Sequence, residues 1–463
     1  MRPQVVTTIL VSAIFWAAGT APAEVVGWRT DGTGRYPQAS PPLEWSPDGP
    51  FIWKTKLPTW SNASPVVCGN KIIVCAEPDL LVCVDRADGK ILWQRANPLE
   101  DALDAEQIKD MALAEAQAEK IQDQMSPLRR RQRQLRGSMR RGPGKEKFEA
   151  QHAEVAKQIK TLQKKLDAMA ESIKPRTHTT NGYTSATPVT DGKRVYAVFG
   201  TGIAVCYDMR GNRQWIKLIQ KPTHEWGHSS SPLLIGDKLV VHIRDTFGLD
   251  AATGEQLWRA RSEAHWGSII AGKTGDVNVA INSNGDIVRV ADGAVLAGKV
   301  QPLDYNSPAI YKGVAYFIQH GGKAVRLPEA ASGEIVLKTL WKTNPPKDRY
   351  YGSPLIHNGL IHVVHRKNMY SVIDATSGEV LFSKRLALGS GTTYPSITLA
   401  GEHLFVSIDN GTTLVLQPGR EYKQVAKNRL EKFRSSPVFI GDRVYIRGLE
   451  HLYCIGKRQA TGT

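Results

Sequence analysis

The sequence lacks the signatures of most metal and cofactor sites. It holds five cysteines, no two of them adjacent and none spaced as Cys-x-x-Cys, which excludes zinc, haem-attachment and thioredoxin-like motifs. No serine–histidine–aspartate set, phosphate-binding glycine loop or pair of catalytic carboxylates can be placed along the chain. After the first residues, no segment is apolar enough to cross a membrane. These absences leave no visible catalytic machinery.

Glycine and proline are frequent instead, with 41 and 26 residues, and such residues mark tight turns. This composition favours β structure over helix bundles. A hydrophobic content of 41% is enough for a buried core. The length of 463 residues fits two or three average domains or one large repeat array.

The first 23 residues have the layout of a secretory signal peptide. Met1-Arg2 is a positive start, an apolar stretch runs from Val5 to Ala18, and Ala21-Pro22-Ala23 resembles a cleavage site. An uncleaved membrane anchor is the alternative, although the apolar stretch is shorter than the roughly 20 residues that span a bilayer. No cysteine lies near the cleavage site, so we do not expect a lipid-anchored lipoprotein. We expect cleavage after Ala23 and a periplasmic or secreted protein with no transmembrane segment.

A repeated unit of about 40 residues decides the fold. The unit consists of a Ser-Pro-like step, a short apolar strand, a glycine turn, a strand ending in Asp, a second turn and a last strand that bears Trp in its clearest copies. The clearest copy runs from Ser231 to Trp258. The leading proline recurs at Pro65, Pro188, Pro232, Pro308, Pro354, Pro395 and Pro437, with Ile269 in a degenerate copy. Eight copies of four strands predict an all-β, eight-bladed β-propeller.

The ends of the array predict how the ring closes. The last copy stops at Ile455 without its Trp-bearing strand, whereas an extra strand at 51–55 precedes the first copy. We predict that this N-terminal strand completes the eighth blade, because closure removes two open sheet edges. Cys83, Cys206 and Cys454 share one repeat position and are predicted to be small buried side chains. The last-strand aromatics are predicted to pack between blades; they are Trp53, Trp93, Trp215, Trp258, Trp341 and Phe382.

These copies resemble the pyrroloquinoline-quinone (PQQ) repeat. An Asp-x-x-x-Gly turn with a downstream Trp occurs at 85–93 and 250–258, and the same turn occurs at 374–378. The resemblance spans nearly everything from Phe51 to Ile455 except one insertion, and it implies a propeller fold. The repeat array is similar to two branches of this family that have different functions, the quinoprotein alcohol dehydrogenases and the BamB-like envelope scaffolds.

The two branches imply different chemistry. The dehydrogenase branch implies PQQ, a calcium ion, a disulfide between adjacent cysteines and an aspartate base. Adjacent cysteines do not occur in the sequence and calcium ligands cannot be placed on any stretch, so no site residue of that branch is carried over. The BamB-like branch implies a non-enzymatic protein acting through loops on one propeller face. We expect no catalytic residue, no metal and no cofactor. Binding of PQQ and calcium is kept as the alternative.

Residues 99–176 form the insertion, here called the arm, which is rich in Ala, Glu, Gln, Lys and Arg. A heptad spacing of apolar residues predicts an antiparallel α-helical coiled-coil hairpin. Pro127 should kink or restart the first helix, and Gly142-Pro143-Gly144 should form the tip. The seam is Phe148, Val155, Ile159, Leu162, Leu166, Met169 and Ile173, opposite a less regular Met111, Ala114, Ala118, Ile121, Met125, Leu128, Leu135 and Met139.

The far end of the arm is strongly basic. Residues 128–147 hold nine basic side chains and one acidic one, half of the net charge of +16. Three interpretations stay open: a solvated loop, a contact for anionic lipid or an acidic envelope polymer, and nucleic acid. Nucleic acid is favoured least, because the segment is exported and has no aromatic residue to stack bases. The arginines are Arg129, Arg130, Arg131, Arg133, Arg136, Arg140 and Arg141.

A zinc-protease motif, His-Glu-x-x-His, is matched at 224–228. That chemistry needs both histidines on one face of a helix. A glycine within the match and the strand entry that follows argue against a helix. We expect no zinc site there.

An aromatic residue precedes the innermost strand of nearly every repeat, and in a propeller such entry turns surround the channel mouth. We predict a rim of mixed charge, suited to carbohydrate, peptide or a partner's loop. The alternative is that these aromatics only seal adjacent blades. The predicted rim is Trp60, Tyr183, His224, Trp226, His228, His265, Trp266, Tyr305, Tyr351, Tyr394, Phe433 and Arg434.

The sequence therefore predicts an exported, non-catalytic scaffold propeller of the cell envelope, binding an envelope protein or polymer through the rim and the arm. A divergent PQQ-dependent oxidoreductase and a lectin-like module are the alternatives. The predicted parts are a signal peptide (1–23), an N-terminal segment with closing strand and first blade (24–98), the helical hairpin (99–176), the remaining blades (177–456) and a tail (457–463).

Overall fold

The computed structural model describes residues 26–139, 145–330 and 333–456. The predicted signal peptide, Arg140 and Arg141, the predicted arm tip at 142–144 and the tail 457–463 lie outside these residues.

The described residues form eight sheets arranged as the blades of a propeller. Two strands precede the first blade, β1 (Arg35–Tyr36) and β2 (Phe51–Lys56). Blades 1 to 4 are built from β3 (Val66–Cys68), β4 (Lys71–Ala76), β5 (Leu80–Asp85), β6 (Ile91–Ala96), β7 (Val189–Thr190), β8 (Arg194–Val198), β9 (Ile203–Asp208), β10 (Arg213–Leu218), β11 (Leu233–Ile235), β12 (Lys238–His242), β13 (Thr246–Asp250), β14 (Gln256–Ala260), β15 (Ile270–Thr274), β16 (Val277–Ile281), β17 (Ile287–Arg289) and β18 (Val295–Ala297). Blades 5 to 8 follow with β19 (Ala309–Tyr311), β20 (Val314–Phe317), β21 (Gly322–Arg326), β22 (Lys338–Thr343), β23 (Leu355–His357), β24 (Leu360–Val364), β25 (Met369–Asp374), β26 (Val380–Arg385), β27 (Thr398–Ala400), β28 (His403–Ser407), β29 (Thr412–Gln417), β30 (Lys423–Arg429), β31 (Val438–Ile440), β32 (Arg443–Arg447) and β33 (His451–Ile455). The predicted eight-bladed propeller is confirmed.

The eighth blade is completed by the N-terminal strand, as the sequence predicts. β2 pairs antiparallel with β33, with Trp53 opposite Cys454 and Lys54 opposite Tyr453. The rings of Phe51 and Tyr453 lie 5.2 Å apart. Because the first and last parts of the chain share one sheet, β2 covers the edge of β33 that would otherwise stay open, and the ring closes.

The segment before β2 has a role that the sequence did not predict. The main-chain N–H of Thr190 in blade 2 donates to the carbonyl of Val26, and β1 pairs in parallel with β27, the innermost strand of blade 7. Residues 26–36 therefore cross the channel from one side to the other. Arg29 is buried there and donates to the carbonyls of Pro354 and Ile397, each at 3.0 Å.

The last-strand tryptophans pack between blades. Trp215 of blade 2 donates its indole N–H to the carbonyl of Ala251 in blade 3 at 3.2 Å and lies under the turn glycine Gly254. A Cβ on Gly254 would approach the indole to 2.6 Å, and its φ of +73° also favours glycine. Equivalent pairs are Trp53 with Gly89, Trp93 with Gly211, Trp258 with Gly293, and Trp341 with Gly378. This contact explains why an Asp-x-x-x-Gly turn accompanies the Trp in the repeat.

The shared cysteine position is explained by the same tryptophans. Cys83, Cys206 and Cys454 lie opposite Trp93, Trp215 and Trp53 on the neighbouring strand. Other blades place Gly248 or Ala324 at this point, so the position selects a small residue that leaves room for the indole. Cys83, Cys206 and Cys454 are buried, as predicted, and Cys68 and Cys75 are buried as well.

Buried thiols should be unreactive in the folded protein. Burial raises the pKa of Cys75, Cys83 and Cys206 to about 12 and that of Cys454 to about 11, and the thiolate is the reactive form. We expect these four thiols to react with Ellman's reagent at pH 8 only after unfolding in urea. Rapid modification of any of them in native buffer would contradict the buried position.

The arm is a helical hairpin, as predicted. A 3-10 helix (Leu99–Ala102) leads into α1 (Ala105–Ser138), and α2 (Lys145–Ala168) returns along it. The 34 residues of α1 span about 50 Å at 1.5 Å per residue. α1 continues through Pro127, so the alternative of a restart there is wrong; the position is exposed, where water can bond the carbonyl left without its N–H partner. The buried seam contains Ala118, Met125, Leu166 and Ile173.

Candidate binding cavity at the channel mouth

A cavity of about 510 Å³ lies on the propeller axis. It has three levels: a belt of side chains at the mouth, a ring of hydroxyl groups below it, and Trp28 as the floor. Every blade contributes to the belt, in order through Asn62, Asn181, Trp226, Trp266, Tyr305, Tyr351, Tyr394 and Arg434.

One half of the belt, from blade 3 to blade 7, is aromatic. His224 meets Trp266 edge-on at 4.9 Å, Trp266 stacks on Tyr305 at 5.7 Å, and Tyr351 stacks on Tyr394 at 5.0 Å. Tyr305 and Tyr351 meet edge-on at 5.0 Å, which makes the series continuous. These side chains are only partly buried, so they present apolar surface to the cavity.

The other half of the belt, across blades 8, 1 and 2, is polar. The Arg434 guanidinium lies 5.6 Å from the Tyr394 ring centre and donates to the carbonyl of Thr180 at 2.9 Å. The Asn62 side chain donates to the carbonyls of Thr180 and Asn181 and to the Ser185 hydroxyl. A second guanidinium, that of Arg349, lies over Tyr305 at 5.5 Å in the aromatic half. The mouth therefore combines flat apolar faces with fixed polar groups.

Below the belt, eight hydroxyl residues form a closed hydrogen-bonded ring. The main-chain N–H of each donates to the hydroxyl oxygen of its equivalent in the next blade at 2.8–3.0 Å, and Ser436 closes the ring onto Ser64. The members are Ser64, Thr187, Ser231, Ser268, Ser307, Ser353, Ser396 and Ser436, and all of them line the cavity.

The hydroxyl ring corrects one repeat assignment. In six blades the hydroxyl residue immediately precedes the leading proline, and in blade 4 it precedes Ile269. In blade 7 the ring member is Ser396, which follows Pro395 and precedes Ile397. Ile397, and not Pro395, therefore occupies the leading position, because the inter-blade hydrogen bond fixes the register.

The floor of the cavity is held by the N-terminal segment. Trp28 lines the cavity and packs beside Ile270 and its neighbours in the core between blades 4 and 5. The adjacent Arg29 is anchored to blades 6 and 7, and burial lowers its pKa to about 10. The cavity is therefore closed at one end and open at the belt.

Seven of the twelve predicted rim residues line the cavity: His224, Trp226, Trp266, Tyr305, Tyr351, Tyr394 and Arg434. Phe433 was wrongly placed on the rim; it is fully buried in a core cluster formed by blades 7, 8 and 1, because neighbouring residues of an extended segment point to opposite sides. Trp60 and Tyr183 are also not in the lining. Trp60 packs against Gly182, and the Tyr183 hydroxyl donates to the carbonyl of Pro175 at 2.8 Å.

Two predicted histidines lie behind the cavity wall. His228 is buried, and burial lowers its pKa to about 4. The His265 ring bonds the carbonyl of Leu303 and the side chain of Asn284. Residues 224–228 form a turn and not a helix, as expected. Only His224 of the pair faces the mouth, so the spacing of His-Glu-x-x-His does not bring its two histidines together there.

The sequence analysis predicted Arg434 but missed Asn62 and Asn181 of the polar half of the belt, the floor and the hydroxyl ring. Asn62 and Asn181 are not aromatic and therefore do not match the repeated pattern of aromatic residues before the innermost strands. The ring carried a visible signal, a Ser or Thr before the leading apolar residue of every copy.

The arm emerges on the same face as the cavity mouth. It lies in the connection from β6 to β7, and the equivalent connections of the other blades carry the belt. Its exit segment reaches the mouth directly, since the His178 ring stacks on Trp226 at 3.8 Å and the Asn181 side chain donates to the carbonyl of Trp226 at 2.7 Å. At its base, Arg244 of blade 3 pairs with Glu171 at 3.0 Å.

The basic side chains of the arm face solvent. Arg129, Arg130, Arg131, Arg133 and Arg136 are exposed on α1. Two of them bond glutamines of α2, Arg129 to Gln163 at 3.1 Å and Arg131 to Gln151 at 3.4 Å. Their role in binding stays a prediction.

The cavity lining does not fit the calcium ion that the dehydrogenase branch implies. Calcium takes six to eight oxygen ligands, several of them carboxylates. Among the residues that line the cavity, Glu225 is the only carboxylate, and it is exposed at the mouth. Across the described ranges, no group of three or more His, Cys, Asp or Glu side chains is placed to hold a metal.

Comparison with solved structures supports the fold. BamB from Moraxella catarrhalis superposes with a TM-score of 0.54 at 11% identity, covering 89% of this chain and 99% of that one. A europium-containing methanol dehydrogenase gives 0.55 at 11% identity, with 93% and 90% covered. The quinohemoprotein alcohol dehydrogenase from Comamonas testosteroni gives 0.54 at 11%, with 96% and 83% covered. At such identities the likeness shows the fold alone.

The curated proteins contain no match to the sequence. In the part of the chain that the structure describes, no helix has the length and apolarity needed to span a bilayer. A family model described as outer membrane protein assembly factor BamB matches residues 43–121 and 244–463, more than half of the chain. The chain therefore belongs to that family of PQQ-repeat β-propellers.

Proposed function

We propose that this protein is an exported, non-catalytic scaffold of the cell envelope that holds a partner protein at the channel mouth and an anionic envelope surface with its arm. The observation that carries the proposal is that the mouth and the arm lie on one face and are joined by residues 175–182. A partner seated on the mouth would contact the base of the arm. The family resemblance favours a binding role over catalysis.

The composition of the mouth supports recognition of a partner. Binding hot spots are enriched in Trp, Tyr and Arg, and the belt consists largely of these residues. The belt is also rigid, because its side chains contact one another and the polar half is fixed by hydrogen bonds to main-chain carbonyls. A rigid belt loses little conformational entropy on binding.

The arm supports a separate electrostatic contact. Exposed arginines far from the propeller body raise the affinity for anionic surfaces, at about 1 kcal/mol for each basic residue near such a surface. The role of the arm in this proposal therefore depends on charge and not on a shaped pocket.

Replacing Arg129, Arg130, Arg131 and Arg133 by Gln should reduce co-purification with envelope extract at least tenfold at low salt, by about 1 kcal/mol per removed charge. The matched control replaces Lys157, Lys160, Lys164 and Lys165 of α2, also exposed, and removes the same charge nearer the base of the arm. Circular dichroism should show both variants folded. Equal loss in both variants, or loss in neither, would remove the basic end of the arm from the proposal.

The alternative, a divergent PQQ-dependent oxidoreductase, is tested by titrating the purified protein with PQQ and calcium while following dye reduction. Stoichiometric binding with turnover would overturn the scaffold proposal. We expect neither, because the lining offers a single carboxylate for calcium.

A further inference from the structure

We propose that the cavity binds the carboxyl-terminal end of a peptide chain, with the carboxylate directed toward the hydroxyl ring. This inference names the ligand of the mouth and so rests on the proposed function. It is drawn from the shape, the charge and the aromatic lining of the cavity.

The shape of the cavity favours a chain end over a threaded chain. Residues 26–36 fill the far end of the channel, and Trp28 forms the floor, so a ligand enters and leaves only through the belt. The volume of about 510 Å³ lies within the range of roughly 300–1,000 Å³ found for pockets that bury small ligands. A loop must bring two chain segments through the same opening, whereas a terminus brings one.

The charge of the lining favours a carboxylate. Arg349 and Arg434 are the basic residues of the lining, and Glu225 is its one acid. Guanidinium groups form strong charge-assisted hydrogen bonds with carboxylates. A chain end that carries negative charge therefore meets complementary charge as it passes the belt.

The hydroxyl ring supplies further donors deeper in the cavity. Each ring oxygen already accepts a main-chain N–H, and a hydroxyl retains one O–H to donate. Because all eight residues line the cavity around the axis, their O–H groups are placed around any group on that axis. Several donors around one anion offset the cost of removing it from water.

The aromatic half of the belt adds selectivity for the side chain next to the carboxylate. Trp266, Tyr305, Tyr351 and Tyr394 form a continuous wall of partly buried rings. A flat side chain on the ligand can stack against this wall, while the polar half, with Asn62 and Asn181, can bond peptide groups. The ligand class that matches all three levels is a peptide with an aromatic residue at its free carboxyl end.

The test uses two fluorescent pentapeptides, dye-Gly-Ser-Gly-Tyr-Phe with a free carboxylate and the same peptide as its carboxamide. We expect the acid to bind the full mature chain about 10- to 100-fold more tightly than the amide. This ratio of affinities corresponds to the free energy of one charge-assisted hydrogen bond. R434Q and R349Q should each weaken binding of the acid and leave that of the amide unchanged. R289Q is the matched control, since Arg289 pairs with Asp292 outside the lining. Thermal melting must show each variant folded.

Several outcomes would overturn the inference. Equal affinity for the acid and the amide would show that the cavity does not recognise the carboxylate. Equal weakening of both peptides by R349Q would show that Arg349 makes no charge contact specific to the carboxylate. Binding of PQQ or of a uronic-acid oligosaccharide without binding of either peptide would replace the peptide by another ligand class. If the peptides fail while envelope extract still co-purifies in an arm-dependent way, this inference fails and the scaffold function stands.

Discussion

Replacing Trp215 by alanine should lower the free energy of unfolding by about 3–5 kcal/mol, the cost typical of a large aromatic removed from a core. The indole is 7% exposed, and it fills the space between blades 2 and 3 against Gly254 and the carbonyl of Ala251. Urea denaturation followed by fluorescence measures the loss. The control is Leu257→Ala on an adjacent outer strand, where the side chain is 50% exposed and a change within about 0.5 kcal/mol is expected.

The turn glycine should show the complementary effect. Gly254→Ala is expected to destabilise the wild-type chain because the added Cβ would meet the Trp215 ring. In the Trp215→Ala background part of that cost should disappear, leaving the backbone cost of a positive φ. A double-mutant cycle gives the coupling directly. Additive costs would show that the indole and the turn do not pack as described.

Lowering the pH from 7 to 5 should destabilise the protein by several kcal/mol. Burial lowers the pKa of His228 to about 4 and that of His242 and His362 to about 3. The unfolded chain takes up protons near the ordinary histidine pKa of about 6.5, whereas these folded-state side chains stay neutral. Stability is therefore full above about pH 6.5 and falls below it, by roughly 2 kcal/mol per histidine at pH 5.

The dependence of unfolding free energy on pH is the measurement. Protein carboxylates with lowered pKa values, such as Asp348, add to the loss only at lower pH, while burial raises the pKa of Glu77 and so opposes it. His362→Gln should reduce the slope near pH 5 by about one proton, or 1.4 kcal/mol per pH unit. An unaltered slope in His362→Gln would contradict its burial as a neutral group.

The propeller was predictable from the sequence because every blade needs the same residues at the same places. The leading Ser-Pro-like step recurs with the unit, and its spacing gave the number of blades. The Trp that packs between blades and the turn glycine above it recur as a pair in five of the blades. The missing last strand of the eighth copy and the extra strand with Trp53 gave the closure. The strand β1 was not predicted, because two residues that pair with a strand distant in sequence have no periodic pattern.

The candidate site was predictable only in part, and the failures lie in blades 8, 1 and 2. Aromatics before the innermost strands identified the blades from His224 to Tyr394, where the entry turns are alike. In blade 8 both Phe433 and Arg434 were predicted for the rim, but only Arg434 lines the cavity, because adjacent residues of an extended segment point in opposite directions. In blade 2 the arm occupies the connection that leads into the blade, and Asn181 lines the cavity where Tyr183 was predicted. In blade 1 Asn62, which bonds the carbonyls of Thr180 and Asn181, lines it where Trp60 was predicted.

By itself the sequence determined the number of blades, the place of ring closure and the helical hairpin, because each follows from periodic contacts between near neighbours or equivalent copies. Tertiary structure alone decided that residues 26–36 close the channel, that eight hydroxyl groups join into a ring, and that the arm and the cavity share one face. These features depend on which residues meet across the axis of the closed ring, and that proximity exists only once all eight blades are in place.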